Sequence, residues 1–547
     1  MKTLHKKYQS IISSLILVIT LLTFILSFLS LSSCRSAEHD NIITGGGIAV
    51  VKINLLGTEY ANSDKPAKVA SINQKGAMVD SVQRYNVLVS PSSFISAELA
   101  PATALNTVAS TSKNLNTMAA VPGNLIGTGV KFRAIAYRQG DGSYQTYQDY
   151  TIGESVQPMM LDGGEKYDII AYSYGSTSAL PEISTGEMTN LSQAKINYDD
   201  NNKDLMHQKI NGFTPDGNNP NNKVDIKLRH KLSQITTVIN SYIGDINEIS
   251  WAYLRPHHPE GVLSLSNGTI SRTYESNERL NFSGTFPTTS ATADPVLINA
   301  DTSGNLTGLF SASLTVNNIG KTISLPNSFK ITPEYKNNLT INLRKCGAYL
   351  GPNSTQWKNF MCHNLGADYL ADPFTPSAAI QGAKYQWGAQ TGEEGRYISQ
   401  ADDQSNSGII SGWNTISKAD GSWSDTSKTS NDPCPSGYRV PTRDQWQGVI
   451  DNNNVERIGS WTNVGDIYSS VLYLKNVSNV ITLMLPASGY RSSLNGLILF
   501  RGVKANYWSS SEYQSDKAFN MTVERLVSPG NDISGRGLAF PIRCIAE

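Results

Sequence analysis

The chain has 547 residues, enough for about three domains at the usual size of ~100–200 residues each. Its 45 Lys and Arg balance its 45 Asp and Glu, and only 16 % of residues are charged, which excludes a basic nucleic-acid binder or an acidic tail as its main character. With 44 Gly, 25 Tyr and 39 % hydrophobic residues, the composition favours many short strands joined by polar turns over helices.

The N-terminal segment has the layout of a secretory signal peptide. Three early lysines precede an uncharged run of 21 residues, Ile11–Leu31, and Leu-Ser-Ser-Cys ends at Cys34. This ending resembles the lipobox of bacterial lipoproteins, which implies a signal peptide over 1–33, a lipid on Cys34 and a tether over 34–44. The competing interpretation is an uncleaved membrane anchor, because a run of this length could span a bilayer. Both predict export, and lipidation predicts an outer-membrane or cell-surface location.

Alternating strands dominate the next 300 residues or so. The runs that carry the pattern are Ile48–Leu56, Val130–Tyr137, Tyr144–Tyr150, Tyr167–Tyr174, Val224–Leu228 and Ile235–Ile239. Apolar and polar residues alternate in several of them, and Gly-Asp-Gly between the second and third predicts a hairpin. Short strands without helical periodicity between them predict antiparallel β-sandwiches.

The order of four blocks in this region resembles the fimbrillin-like proteins of Bacteroidales. The blocks read IAVVKINL, YDIIAYSYGS, DLMHQKI and VDIKLRHKLSQITTVIN, and the last contains the element His230-Lys231-Leu232-Ser233 that opens the second domain in that family. The resemblance implies two transthyretin-like β-sandwich domains, over 45–228 and 229–345. It also implies other fimbrillin subunits as partners, joined by strand addition.

The last third of the chain carries a second series of ordered blocks. They read WKNFMCHNLG from Trp357, YQWG from Tyr385, CPSGYRVPT from Cys434, LPASGYR from Leu485, YWSSS from Tyr507 and FPIRC from Phe540. This series resembles the major paralogous domain called FISUMP and the C-type-lectin-like, formylglycine-generating-enzyme-like fold. It implies a loop-rich α+β domain over 346–547, so that the predicted fold class is mainly β with three domains.

Four cysteines fall in that C-terminal segment: Cys346, Cys362, Cys434 and Cys544. An even set in an exported segment favours two disulfides, and a zinc site is less favoured because no C-x2-C pair is present. Four cysteines allow three connectivities, and spacing alone does not choose between them. Our prediction is Cys346–Cys362 together with Cys434–Cys544, the second tying the Pro-Thr segment to the final strand.

Local chemistry in the C-terminal segment predicts a helix and a set of buried indoles. Pro441 suits the first turn of a helix, Thr442 can begin it, and Trp446 would then face the core. Seven of the eight Trp lie in this segment, and each buried indole N–H needs an acceptor. We therefore expect loop carbonyls ordered around the Trp side chains.

Signs of catalysis are weak. There is no Gly-x-Ser-x-Gly elbow, Walker loop or His-Glu-x-x-His motif. We expect His257-His258 to form an exposed turn, and the acidic pairs Glu393-Glu394 and Asp402-Asp403 to lie in solvated loops rather than to ligate calcium. The sugar signatures of calcium-dependent lectins are absent. The prediction is a protein that is not an enzyme, with no cofactor and no metal.

Two functional hypotheses remain. The first is a fimbrial subunit at a fibre tip, whose C-terminal domain contacts a host or bacterial surface protein or a glycan. The second is a surface lipoprotein that binds or processes glycans without polymerising. In the fimbrillin-like family an Arg- or Lys-directed protease removes the first strand, and Arg84 is the candidate site here, with Lys65, Lys68 and Lys75 as alternatives.

The end of the sequence bears on the first hypothesis. Phe540–Cys544 would be held by a disulfide inside its own domain and could not swing out to be donated. That predicts a subunit that accepts a strand without donating one.

Overall fold

The computed structural model describes residues 46–62, 82–102, 124–202, 204–302, 304–525 and 529–547. The predicted signal peptide, the lipidation site Cys34 and the tether lie outside these residues, as do Lys65, Lys68 and Lys75. The fold is mainly β, with 47 % of residues in strands and 4 % in helices. None of the helices in the described ranges has the length and apolarity that a membrane crossing requires.

Ten strands end at or before His230, the first residue of the His-Lys-Leu-Ser element. They are β1 Ile48–Glu59, β2 Gln83–Ser90, β3 Ser93–Pro101, β4 Lys131–Arg138, β5 Tyr144–Thr151, β6 Met159–Asp162, β7 Tyr167–Ser173, β8 Lys195–Asp199, β9 Met206–Phe213 and β10 Asn222–His230. Seven of them form one sheet in the order β5-β4-β7-β9-β10-β1-β6, which we call the first sheet. The buried side chains on one face all come from its own strands, so the sheet curves around this core.

The next ten strands build most of a two-sheet sandwich. They are β11 Ser233–Ser241, β12 Ile246–His257, β13 Glu260–Ser264, β14 Ile270–Arg272, β15 Ser276–Arg279, β16 Ser290–Thr292, β17 Val296–Ile298, β18 Gly308–Val316, β19 Ile319–Phe329 and β20 Lys336–Lys345. One sheet runs β16-β11-β20-β3-β2, with β17 also on β11, and the other runs β15-β12-β18-β19. Their facing apolar side chains form one core, and we call this unit the second sandwich.

Two hairpins cross the predicted division near residue 228. The hairpin β2–β3 pairs with β20 and so belongs to the second sandwich, not to the first sheet. In the other direction, β13 and β14 join β8 in a three-stranded sheet, and this sheet packs on the second face of the first sheet. Each of the two predicted domains therefore contributes a hairpin to the other: β2–β3 lies in the second sandwich, and β13–β14 packs on the first sheet.

Two strand pairs depart from the antiparallel arrangement that we predicted. β1 runs parallel to β10, and β11 runs parallel to β20. The remaining pairs within the first sheet are antiparallel, including the predicted hairpin of β4 with β5. Alternation of apolar residues specifies which face of a strand is buried and says nothing about the direction of its neighbour.

Residues 346–547, which we call the C-terminal module, contain short strands and two short helices. The strands are β21 Gly347–Gly351, β22 Thr355–Asn359, β23 Lys384–Gln386, β24 Tyr397–Ile398, β25 Tyr438–Arg439, β26 Asn454–Ile458, β27 Val471–Lys475, β28 Ile481–Pro486, β29 Tyr490–Arg491, β30 Ile498–Leu499, β31 Lys504–Gln514, β32 Lys517–Glu524, β33 Gly530–Gly535, β34 Ala539–Phe540 and β35 Ile545–Ala546. The helices are α1 Gln400–Ser405 and α2 Arg443–Asp451. Sheets of two to five strands surround two apolar cores rich in aromatic side chains.

Helix α2 forms at the predicted place. Thr442 is its N-cap, and the Gln445 side chain completes a capping box with it, which satisfies two otherwise unpaired backbone donors. Trp446 is fully buried, as predicted. Pro441 lies before the N-cap instead of in the first turn. The helix therefore begins two residues later than the proline suggested.

Candidate functional site

The first strand lies in a slot between two other strands of its sheet. β1 pairs antiparallel with β6 from Ile48 to Val51, and parallel with β10 from Val51 to Glu59. The parallel register shifts between Leu55 and Gly57, which marks a bulge. The hydrogen-bonding groups of β6 and β10 along this slot are satisfied only while a strand occupies it.

Alternate side chains of β1 enter the core of the first sheet. Ala49, Val51 and Ile53 are at most 2 % exposed and pack among the apolar residues of β6 and β10. Burying a Val or Ile side chain stabilises a fold by roughly 1.5–3 kcal/mol. Without β1 the slot would therefore be an apolar groove flanked by two strand edges.

Polar contacts fix the register at the far end of β1. The Asn54 amide donates to the Asp225 carboxylate at 2.6 Å, and Glu59 accepts from the Arg229 guanidinium and lies 3.2 Å from the Lys227 ammonium. Burial by itself would raise the pKa of Glu59, but the bonds from Arg229 and Lys227 outweigh it and hold that pKa below its ordinary value. A strand shifted by one residue would lose both the carboxylate contact and the buried face.

After β1 the chain passes to the second sandwich. The Tyr60 ring stacks on the His230 ring at a centroid distance of 4.0 Å. The Ala61 N–H donates to the carbonyl of Glu334, and the Asn62 side chain exchanges two hydrogen bonds with the backbone of Lys336. The His-Lys-Leu-Ser element thus lies where β1 leaves its sheet.

The candidate maturation residue Arg84 is the second residue of β2, at the outer edge of its sheet. Its side chain is 66 % exposed and its Nε donates to Glu98 at 2.8 Å. A cut after Arg84 would separate β1 from the rest of the chain and take only Gln83 and Arg84 from β2. Tyr85 and the residues after it would still pair with β3.

The C-terminal module holds the segment 539–546 on several sides. Cys434 is bonded to Cys544 and Cys346 to Cys362, the same two pairs that we predicted. β34 pairs with β23 and β29, and β35 pairs with β25. Release of this segment would break a covalent bond and two sheets.

A buried arginine also ties this segment to the interior. Arg543 is 1 % exposed, and its guanidinium donates to the Asn364 side chain at 2.8 and 3.0 Å and to the carbonyls of Met361 and Cys362. Burial lowers the pKa of Arg543 to about 10, against an opposing influence from Tyr507. Moving Arg543 would leave several buried acceptors unpaired, which is costly.

Four of the buried indole N–H groups find the carbonyl acceptors that we expected, whereas those of Trp413 and Trp461, which are also buried, have no hydrogen-bond partner among the described residues. Trp387 donates to Ser509, Trp423 to Asn431, Trp446 to Trp508 and Trp508 to Tyr385, all at 2.8–3.1 Å. These four bonds connect separate loops and strands of the module. These four indoles therefore act as scaffold, because their polar atoms are used inside the fold.

Two expectations about charged residues were wrong. Asp403 is not solvated: it is 1 % exposed and pairs with Lys384, Arg491 and Arg501. Burial would raise the pKa of Asp403, but these three cations lower it below its ordinary value. With three cations around it, this carboxylate is committed to the fold and is a poor ligand for calcium.

His257 is also buried, at 1 % exposure, and not in an exposed turn. Its Nε2 lies near the carboxylates of Asp200 and Glu278, a trio whose ligand atoms lie within 4.8 Å of one another. However, His257 Nδ1 accepts the backbone N–H of Asn299 at 3.2 Å. The neutral ring therefore carries its proton on Nε2 and donates to Asp200 at 3.1 Å, which leaves no lone pair there for a metal.

Sequence reasoning missed how the hairpin β2–β3 enters the C-terminal module. The Cys346 and Cys362 N–H groups donate to the carbonyls of Ser92 and Pro91 at 2.8 and 2.7 Å. Phe94 is buried within the aromatic core of the module, against Phe374. The only local signal was an apolar Phe beside a turn, and such a signal does not identify a partner in a distant segment of the chain.

No protein-family model and no curated protein matches the chain. Among solved structures, a proposed cell adhesion protein from Bacteroides uniformis is 16 % identical, with 39 % of this chain and 86 % of that chain covered, at a TM-score of 0.28. A proposed cell adhesion protein from Bacteroides ovatus is 12 % identical (55 % and 96 % covered, TM-score 0.28). The tip fimbrial protein Mfa3 from Porphyromonas gingivalis, with C-terminal truncation, is 10 % identical (36 % and 75 % covered, TM-score 0.26). These TM-scores lie below 0.5, so the function must be argued from this chain's own residues.

Proposed function

We propose that the protein is a non-enzymatic, lipid-anchored surface adhesin that accepts a strand from a fimbrial partner and stands at the tip of the fibre. The observation that carries this proposal is the slot of β1. A single strand fills it, and its inward face is small and apolar. A cut beyond β1 would free a groove that another extended strand can complete with main-chain hydrogen bonds.

β1 can be released by a single cut, whereas the segment 539–546 is held firmly in its own module, and this supports the tip position. Its disulfide, its two sheets and the Arg543 contacts keep it inside the C-terminal module. A subunit of this kind accepts a strand but does not give up this segment. The four cysteines of the module are all consumed in disulfides, so the thiol chemistry of formylglycine-generating enzymes has no reactive group there.

The test uses the full chain in detergent and an Arg-specific protease. We expect cleavage after Arg84, loss of the β1 fragment under mild denaturant, and rebinding of a labelled peptide of residues 46–62 to the emptied chain. A peptide that carries Val51→Asp should fail to bind, because the charge would enter the apolar core. Arg84→Lys is the matched control, since it keeps a cation opposite Glu98 but resists this protease.

Two results would contradict the proposal. One is assembly of the Arg84→Lys chain into fibres as efficiently as the unaltered chain, with no cut at Lys65, Lys68, Lys75 or position 84. The other is equal binding of the unaltered and the Val51→Asp peptides, which would mean that binding does not depend on the apolar face of the strand. Immunogold labelling along the whole shaft would contradict the tip position but would leave strand acceptance intact.

A further inference from the structure

A cleft of about 630 Å³ lies between the second sandwich and the C-terminal module. One wall contains the turn after β11 with Tyr242, and the end of β20 with Arg344 and Lys345. The other wall contains Tyr349 and Trp357 of the β21–β22 hairpin and the turn between β27 and β28. Neither unit alone forms this cleft.

The two walls are held in place by the hairpin β2–β3. Its turn accepts backbone hydrogen bonds from Cys346 and Cys362, and the Ser92 hydroxyl bonds to the Tyr438 hydroxyl at 2.8 Å. Phe94 and Phe374 pack at a centroid distance of 5.4 Å beneath this junction. The cleft is therefore formed before any ligand arrives, which reduces the ordering that binding requires.

The charge of the cleft has one sign. Arg344 and Lys345 line it, and its lining includes no Asp or Glu. Within the described residues neither cation has an ion-pair partner. The Arg344 guanidinium lies over the rings of Tyr242 and Phe374, at 4.6 and 5.4 Å from their centroids, and Arg344 also lines an adjoining pocket that contains Glu98 and Asp372. These rings orient the guanidinium and leave its N–H groups for an anion, for which a carboxylate is a good geometric match.

The remaining lining consists of aromatic rings and short polar side chains. Trp357 and Tyr349 meet edge to face at 5.1 Å, and Tyr242 is 43 % exposed. The short polar groups include Thr289, Ser478 and other Ser, Thr and Asn residues. Aromatic faces pack against the C–H face of a pyranose ring, and short hydroxyl and amide side chains bond to its hydroxyl groups. An acidic peptide would pair with the two cations, but its binding would not require both aromatic faces and short hydroxyl and amide side chains.

We propose that this cleft binds a saccharide that carries a carboxylate, with Arg344 and Lys345 holding the acid and Trp357 and Tyr242 packing against sugar rings. The proposal rests on the adhesive role proposed above and names the site and ligand class for it. Because the ligand would contact both units, its affinity would also depend on their relative position.

The test measures binding to the full Arg84→Lys chain in detergent, so that the result does not depend on cleavage or strand addition. The probes are trigalacturonic acid, 3′-sialyllactose and neutral galactotriose, measured by calorimetry. We expect at least one acidic probe to bind at least tenfold more tightly than galactotriose, with a difference that shrinks as salt is raised. Arg344→Gln with Lys345→Gln should weaken binding of the acidic probe at least tenfold.

Two further variants separate the sugar contact from the charge contact. Trp357→Ala should weaken binding of acidic and neutral probes alike, with retained circular dichroism and intact disulfides as the check on folding. The matched control is Lys321→Gln, which removes an exposed cation on β19 outside the cleft and should change nothing. Absence of binding by both acidic probes at millimolar concentration would overturn the proposal. Equal binding of neutral and acidic probes, an unaffected Arg344→Gln/Lys345→Gln chain, or tighter binding of hexaglutamate than of either sugar would also do so.

Discussion

The first strand β1 and the segment 539–546 both complete a sheet, but they are held by different forces. β1 relies on backbone pairing, three small apolar side chains and a few polar contacts near Glu59. The segment 539–546 adds a disulfide and a buried guanidinium to its pairing. Once the chain beyond β1 is cut, only non-covalent contacts keep it in place, whereas the disulfide would still hold the other. Both complete a sheet, but the attachment of β1 becomes reversible after a cut, and that of the segment 539–546 does not.

The largest effect is expected from the long disulfide. Cys434→Ser with Cys544→Ser removes a bond that closes 110 residues, which the chain-entropy model values at about 4–5 kcal/mol. We expect the C-terminal module to lose protection from hydrogen exchange while the first sheet keeps it. Cys346→Ser with Cys362→Ser opens a loop of 16 residues and should cost less, about 3 kcal/mol. Loss of protection in the first sheet before the module would contradict the comparison.

The next effect tests how strongly β1 is held. Ile53→Ala removes a side chain that is 2 % exposed and should lower the free energy of unfolding of the first sheet by about 2–5 kcal/mol. Ile48, on the same strand and 66 % exposed, provides the control, since Ile48→Ala should change stability by about 0.5 kcal/mol or less. Denaturant titration with exchange readout separates the two. Similar losses for both variants would mean that β1 is not oriented as described.

A smaller effect is expected at the start of helix α2. Thr442→Ala removes the side-chain cap and the capping box with Gln445, which should cost about 1 kcal/mol. Thr442→Ser keeps the hydroxyl and should retain most of the stability. Thermal unfolding of the two variants provides the measurement, and equal melting temperatures would show that the cap contributes nothing here.

The smallest effect concerns pH and β1. The pKa of Glu59 is lowered in the folded protein, so its ion pairs stabilise the fold above the unfolded pKa of about 4.5. That stability is lost as the pH falls through the folded pKa. We expect at most about 1 kcal/mol, seen as smaller protection factors of the β1 amides, corrected for the intrinsic exchange rate at each pH, as the pH falls from about 5 to about 3. Glu59→Gln should remove this part of the pH dependence, and an unchanged profile would rule out the carboxylate as its source.

The sequence predicted features that depend on local pattern and chemistry. The strands around β1, β4, β5, β7 and β10, a helix close to Thr442 with a buried Trp446, and the two disulfide pairs were all found as predicted. It did not predict the parallel pairing of β1 with β10 or the transfer of β2–β3 to the second sandwich, because alternation identifies a buried face without naming its neighbour. Asp403 and His257 were misjudged for a related reason, since their partners come from distant segments.

The hairpin β2–β3 has a mechanical consequence. If a partner strand holds the slot of β1 while a ligand pulls on the cleft, the load passes from the first sheet through the second sandwich into the C-terminal module. β3 is paired with β20 along its whole length, from Ser93 to Pro101, and its turn is bonded into the module. Tension directed along these strands would load many hydrogen bonds in shear at the same time, instead of opening them one by one. Attachment under flow would then depend on residues 91–101, which touch neither ligand nor partner strand.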